Sequence, residues 1–429
     1  MLRLAPESDP GSRSEFLPHP GPTSRPRRRP APVEECPGGG PRWQVRDASL
    51  SPQSQPHAAT RQRVAVIGAG CWGRELVRNF EGLGALVAVC DADPARLDAL
   101  QTSGPVRRCC RAEDCLRDPD ISAVAIATPV VSHFELARSA LTAGKDVFVE
   151  KPLALTVRDG HALVALAADS NRILMSGNIL RYHPAVGKLK AMMDAGELGK
   201  VEYVYSNRLS ACPLRAEENI FWSFAPHEVS VILSLLGEMP VAVSCQGGDY
   251  VGRGVSDVTV NQFTFAGGVR AQVFVSRLRP FKEQRLAVVG SEKIAVFDDA
   301  APGRLVTYPR GDWTSSGPTA AEAAGEPVRI DSTEPMKAEC RAFLESLDTR
   351  QPPLTDGSEE LRVLAVLDAC EGSLSNDGTR TMVNPQVRPQ GTRGRRDRSS
   401  GRPRNCSRGE QPGSAGSGDR QALTAARPS

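Results

Sequence analysis

The 429-residue sequence has no apolar run approaching the ~20 residues that cross a bilayer, so a membrane-spanning protein is not expected. Its 11 cysteines include no C-x-x-C pair, and an odd number suits neither a closed disulfide framework nor a zinc site. Reduced, buried thiols are the expected state, and no metal ligands are assigned. The N-terminus lacks a continuous apolar stretch, and Glu7, Asp9 and Glu15 argue against a transit peptide. A soluble, cytoplasmic chain is expected.

The formal net charge of +3 conceals a segregation. Residues 1–63 hold ten Arg against six acids and residues 386–429 ten Arg against three, leaving 33 basic and 41 acidic residues between them. Both ends are rich in Pro, Gly, Ser and Arg, with too few large apolar groups to offset the entropy of ordering. They are read as tails, 1–62 and 386–429. The run at Arg25 and Arg27–Arg29 is read as solvated tail, so nucleic acid is not an expected partner.

Between the tails, "VAVIGAGCWG" runs from an apolar strand through Gly68, Gly70 and Gly73 into an amphipathic helix reaching about Phe80. Gly68 permits a tight turn, Gly70 lets backbone approach a pyrophosphate, and Gly73 allows close packing of helix on strand. A second strand, Leu86–Cys90, ends in Asp91, 23 residues after Gly68. An acid there takes ribose hydroxyls and repels a 2′-phosphate, favouring NAD over NADP; the alternative is that Asp91 only caps the next turn, where Asp93-Pro94 reads as a helix start. The alternation repeats in "ISAVAIATP" and "SHFELARSALTAG", with Ser132 and Glu135 placed for a capping box and Gly144 as the stop. This pattern specifies a doubly wound parallel sheet, an α/β Rossmann domain over 63–178. Ligands of such sheets lie at the carboxyl ends of the strands. Thr128 and Pro129 leave one strand there, and Glu150, Lys151 and Pro152 the next. An ammonium at Lys151 would stabilise an alkoxide or pass a proton, although a strand-end lysine by itself is more often a solvated charge.

From Val201 to Val306 short β-branched runs with turns at Gly267-Gly268 and Gly290-Ser291 predict an open, mainly antiparallel sheet, and the α+β domain is placed at 179–385. Its final helix is a candidate to pack back on the first domain. A helix over "APHEVSVILSLLG" interrupts the sheet, with His227 expected at its start. Histidine suits proton abstraction from an alcohol; a solvent-facing cap is the plainer alternative, and His133, His161 and His183 compete on residue type alone.

These motifs, with "IATPVVSHFELARSALTAGKDVFVEKPLALT", "GNILRYHPAV" and "NIFWSFAPHEVSVIL", resemble the glucose-fructose oxidoreductase, inositol dehydrogenase and MocA family over residues 63–385. The last two look most like its nucleotide-sugar branch, the UDP-N-acetylglucosaminuronate 3-dehydrogenases. The resemblance implies an oxidoreductase passing hydride from a sugar hydroxyl to NAD, with Lys151 and His227 catalytic. It places Gly68, Gly70, Cys71, Trp72, Gly73, Asp91, Thr128, Pro129, His133, Glu150 and Lys151 around the cofactor. Arg181, Tyr182, His183, Asn219, Ser223 and His227 are the implied substrate residues; packing at the domain junction is the alternative for Arg181 and Tyr182. Ser223 stands where many relatives carry an acid. A free-sugar, inositol or dihydrodiol dehydrogenase and a non-catalytic NAD(P)-binding regulator remain alternatives, and an uncovered sheet face suggests a homodimer or homotetramer.

Overall fold

The computed structural model describes residues 62–211, 219–301, 304–311 and 324–384; apart from Gln62, the two tails of the sequence reading lie outside these. The first sheet contains β1 (Val64–Ile67), β2 (Leu86–Cys90), β3 (Arg107–Cys109), β4 (Ala123–Ile126), β5 (Asp146–Glu150) and β6 (Leu174–Gly177) in the order β3-β2-β1-β4-β5-β6. Every pairing is parallel. The order reverses between β1 and β4, which opens a crevice at the carboxyl ends of those strands.

Between the strands lie α1 (Cys71–Gly82), α2 (Pro94–Asp98), α3 (Ala112–Leu116), α4 (His133–Thr142) and α5 (Val157–Asp169). Because side chains alternate across a strand, Val64 and Val66 face one layer while Ala65 and Ile67 face the other. Asp93 caps α2 by accepting from Ala95 N, with Pro94 in the first turn, and Gly144 follows α4 at φ +74°. The expected capping box on α4 does not form. Ser132 Oγ instead donates to the Pro129 carbonyl and shares a hydrogen bond with the Thr128 hydroxyl, each at 2.7 Å, which diverts it from the helix N–H groups.

The chain then forms α6 (Pro184–Asp194), β7 (Val201–Leu209), α7 (Ile220–Leu236), β8 (Ala242–Gly248), β9 (Val258–Thr264), β10 (Arg270–Ser276), β11 (Glu283–Gly290), β12 (Lys293–Asp298), β13 (Leu305–Pro309) and β14 (Glu326–Pro327). It ends with α8 (Pro335–Thr349), α9 (Gly357–Leu374) and β15 (Thr381–Met382). The second sheet runs β14-β13-β12-β11-β7-β10-β9-β8-β15 and is antiparallel except for β7 beside β10. That parallel pair joins strands separated by α7, β8 and β9, a crossover that local turn residues do not encode. Helices α6, α7 and α9 share one core with this sheet, whereas on β9 Val260 and Gln262 face outward. Helix α8 belongs to the first domain: Phe343 meets Phe80 and Phe148 edge-on, at centroid distances of 6.2 and 5.8 Å.

Candidate active site

The glycine turn after β1 is held by packing at two positions and left open at the third. Gly68 has φ +100°, and a Cβ there would lie 2.7 Å from the Ala127 carbonyl. A Cβ on Gly73 would lie 1.8 Å from the Gly68 oxygen, so helix and turn meet at a distance only glycine allows. At Gly70 a Cβ would meet nothing within 4 Å. No side chain caps α1 and no acid occupies its first turn, so its N–H groups and positive dipole end face the crevice. These features fit a dinucleotide pyrophosphate. Cys71 and Trp72 stand exposed at the mouth of the turn.

Asp91 closes the crevice beside β2. Its Oδ2 accepts from Ala69 N at 2.7 Å and its Oδ1 from Asp93 N at 2.9 Å, while Arg96 lies 3.7 Å away. A carboxylate has about four acceptor sites, so capacity remains for ribose hydroxyls. The structure shows Asp91 bracing the glycine turn and the start of the α2 segment.

Beyond β4 and β5, His133 joins the two strand ends. Nδ1 lies 2.9 Å from the Pro152 carbonyl and Nε2 2.9 Å from that of Thr128. The Lys151–Pro152 bond is cis. Glu150 is buried, and desolvation pushes its carboxyl up to about 7 against the opposing pull of Lys151. Lys151 crosses to the second domain, where Nζ donates to the Ser223 carbonyl on α7 at 2.7 Å.

Helix α7 starts earlier than the sequence suggested. Asn219 caps it, its Oδ1 accepting from Phe221 N and Trp222 N at 2.9 and 3.1 Å, and Pro226 lies inside the helix. His227 is therefore a buried mid-helix residue, neither a helix start nor a solvent-facing cap. It lies one turn after Ser223 and so shares its face. Its Nδ1 has no hydrogen-bond partner among the described residues. Burial first, then the cations of Arg208 and Lys151, hold its pKa well below the ordinary histidine value. The site thus contains a neutral imidazole whose Nδ1 is buried and unpartnered among the described residues, felt electrostatically by an ammonium bound one helical turn away.

The other implied substrate residues are engaged elsewhere. Asn219 spends its oxygen on the cap and donates its amide to Glu371 at 2.6 Å, which leaves it poorly placed for a sugar hydroxyl. Tyr182 bonds Thr355 at 3.0 Å, and Arg181 lies 3.6 Å from Glu359, both at the junction of the domains. His183 caps α6 by accepting from Ala185 N at 3.1 Å and faces Arg304 at 3.0 Å; burial pushes its pKa down to about 4. These contacts favour packing over recognition. For Ser223 the structure uses the backbone carbonyl.

Two acids beside the site carried no sequence motif. Glu360, on α9, accepts from Asn178 at 2.6 Å, and burial pushes it up to about 7. Glu339, on α8, is fully buried, neither carboxyl oxygen has a hydrogen-bond partner among the described residues, and burial plus the Glu150 charge raise its pKa well above the usual range. The only signal in the sequence is an acid in the apolar stripe of Met336, Cys340, Phe343 and Leu347.

A parallel sheet with an uncapped glycine turn, and a lysine and histidine from two domains at its carboxyl edge, define a dinucleotide-dependent oxidoreductase. Residues 62–178 match the family model described as "Oxidoreductase family, NAD-binding Rossmann fold", and residues 186–296 match the "GFO/IDH/MocA C-terminal domain". The chain belongs to this Gfo/Idh/MocA oxidoreductase family. It is 29% identical to UDP-N-acetylglucosamine 3-dehydrogenase of Acidithiobacillus ferrooxidans over 71% of this chain and 94% of that one. It is 28% identical to inositol 2-dehydrogenase of Rhizobium meliloti over 73% and 97%. A solved structure of the Acidithiobacillus enzyme superposes with a TM-score of 0.66 at 26% identity, covering 74% of this chain and 98% of that one. Among the described residues no helix is long and apolar enough to cross a membrane.

Proposed function

We propose that the protein oxidises a ring hydroxyl of a sugar, of the nucleotide-sugar type, with NAD as the hydride acceptor. The observation that carries this reading is the junction of Lys151 with α7, which sets a fixed cation one turn from the unpartnered Nδ1 of a buried, neutral His227. The dinucleotide, when bound, supplies the redox chemistry by taking hydride. The chain's residues supply position and proton handling. The α1 N-terminus and Gly70 receive the pyrophosphate, and Asp91 binds the adenosine ribose, which favours NAD over NADP. His227 takes the hydroxyl proton through its imidazole, and Lys151 Nζ stabilises the developing alkoxide. The neutral state of His227 suits this role because an imidazolium has no lone pair to accept with.

The nucleotide-sugar assignment rests on the "NIFWSFAPHEVSVIL" and "LRYHPAV" segments and on the similarity to the UDP-N-acetylglucosamine enzyme. Inositol is the competing substrate, because the inositol dehydrogenase is similar over nearly the same share of both chains. The test is NAD reduction, followed by absorbance, with UDP-N-acetylglucosamine, its uronate and myo-inositol supplied separately. Turnover confined to the UDP-sugars is expected. Turnover with inositol alone would replace the substrate, and NAD binding without turnover on any sugar would favour a regulator.

A further inference from the structure

Three thiols converge at the edge of the first sheet, away from the lysine and histidine. Cys90 closes β2, Cys109 sits beside it in the parallel β2–β3 pairing, and Cys115 comes from α3. Their Sγ atoms all lie within 4.8 Å of one another, and those of Cys109 and Cys115 are 3.0 Å apart. Cys90 and Cys115 are buried, and Cys109 is half-buried.

We propose that Cys90, Cys109 and Cys115 form a three-thiolate site for a soft, thiophilic d¹⁰ cation of the Cu⁺ or Zn²⁺ class. Thiolate sulfur selects such ions over hard cations. With metal–sulfur bonds of about 2.3 Å, a trigonal site places its sulfurs ~4.0 Å apart, so one ion fits after Cys109 and Cys115 separate by about 1 Å. The partial exposure of Cys109 gives the ion an entry path and leaves room for a water or a small thiol as fourth ligand. A simple Cys109–Cys115 disulfide would use two sulfurs and leave the approach of the third unexplained.

The site lies directly behind the crevice. Asp91 follows Cys90 in the chain, its N–H donates to the Cys109 carbonyl at 3.2 Å, and its carboxylate holds Ala69 in the glycine turn. An ion that draws Cys90 toward Cys109 would therefore act on the acid assigned to the cofactor ribose. Only this coupling rests on the proposed function; metal binding stands without it.

The test titrates the reduced, full-length protein with Cd²⁺ as a spectroscopic probe and then with Cu⁺, reading thiolate-to-metal charge-transfer absorption. One equivalent per chain is expected, with X-ray absorption showing a sulfur-dominated shell. Cys109→Ser and Cys115→Ser should each abolish the one-equivalent band, whereas Cys110→Ser, which removes an exposed neighbouring thiol, should keep it. Because Cys115 is buried, circular dichroism checks its fold, and the half-buried Cys109 variant carries the test independently. No band at one equivalent, a band surviving both substitutions, or a Cys109–Cys115 disulfide as the sole product with no metal uptake by the reduced protein would each overturn the site. A change in NAD affinity on metal loading supports the coupling; unchanged affinity with one bound ion overturns the coupling alone.

Discussion

Replacing Ser223 by Asp puts a carboxylate one helical turn before His227, and its effect can be worked from the geometry. Residues four apart on a helix have Cβ atoms about 5–6 Å apart. At an effective dielectric of ~20, a unit charge at that distance is worth about 3 kcal/mol to an imidazolium. That corresponds to ~2 pKa units, or about 1–2 once Lys151, already bonded to the Ser223 carbonyl, draws part of the new charge. In the native protein burial, Arg208 and Lys151 hold His227 well below its ordinary value, so it remains an unprotonated base throughout the neutral range. The assay is the pH dependence of kcat/KM, whose acid limb reports the base in the free enzyme. The native limb should fall below pH 6.5, the ordinary histidine value. In Ser223→Asp it should move up by about 1–2 units, lowering activity on the acid side relative to the native protein while leaving the plateau at pH 8 in place. An unmoved limb would refute His227 as the base, as would a native limb already above the ordinary histidine value.

Four further outcomes are expected. Lys151→Met should lower kcat by about 10²- to 10⁴-fold while NAD affinity, read by fluorescence titration, stays within a few-fold; unchanged turnover would remove its role. Asp91→Ser should weaken NAD by roughly 10- to 100-fold and narrow the preference over NADP, since Arg96 keeps only Asp93 of its two acidic neighbours; an unchanged ratio would leave Asp91 as a brace only. Glu360 is pushed from 4.5 up to about 7, so as pH rises through that window the unfolded chain ionises and the folded one resists. Stability should therefore fall by up to ~3 kcal/mol between those pH values, and Glu360→Gln should flatten that slope in urea titrations; an identical slope would contradict the assignment. If the outward face of the second sheet is the subunit interface we infer, Phe274→Glu, placed opposite Val260 on β9, should give a monomer in sedimentation; an unaltered oligomer would place the interface elsewhere.

The first domain was legible because its determinants are local. Gly68 and Gly73 are forced by contacts that a Cβ would violate, and Asp91 and Lys151 follow strands whose apolar runs mark them. The second domain was legible in kind and less so in detail. Pro226 suggests a helix start, but Asn219, seven residues earlier, supplies the cap that fixes it, so the proline is carried inside α7 and His227 is buried. The β7–β10 pairing depends on a long crossover, which no turn residue signals. Glu339 and Glu360 were missed because acids are ordinarily solvated, and only tertiary packing of α8 and α9 reveals them as buried. The three cysteines, 19 and 6 residues apart, form no spaced motif and meet only when β3 pairs with β2.

The most direct measurement is a crystal structure of the protein with NAD bound. The account predicts the pyrophosphate at the α1 N-terminus, the adenosine ribose on Asp91, and Lys151 Nζ and the His227 imidazole on the same side of the nicotinamide, within the ~3–3.5 Å reach of a hydroxyl seated there. A nicotinamide lying away from both, or the two side chains opening into separate cavities, would contradict it.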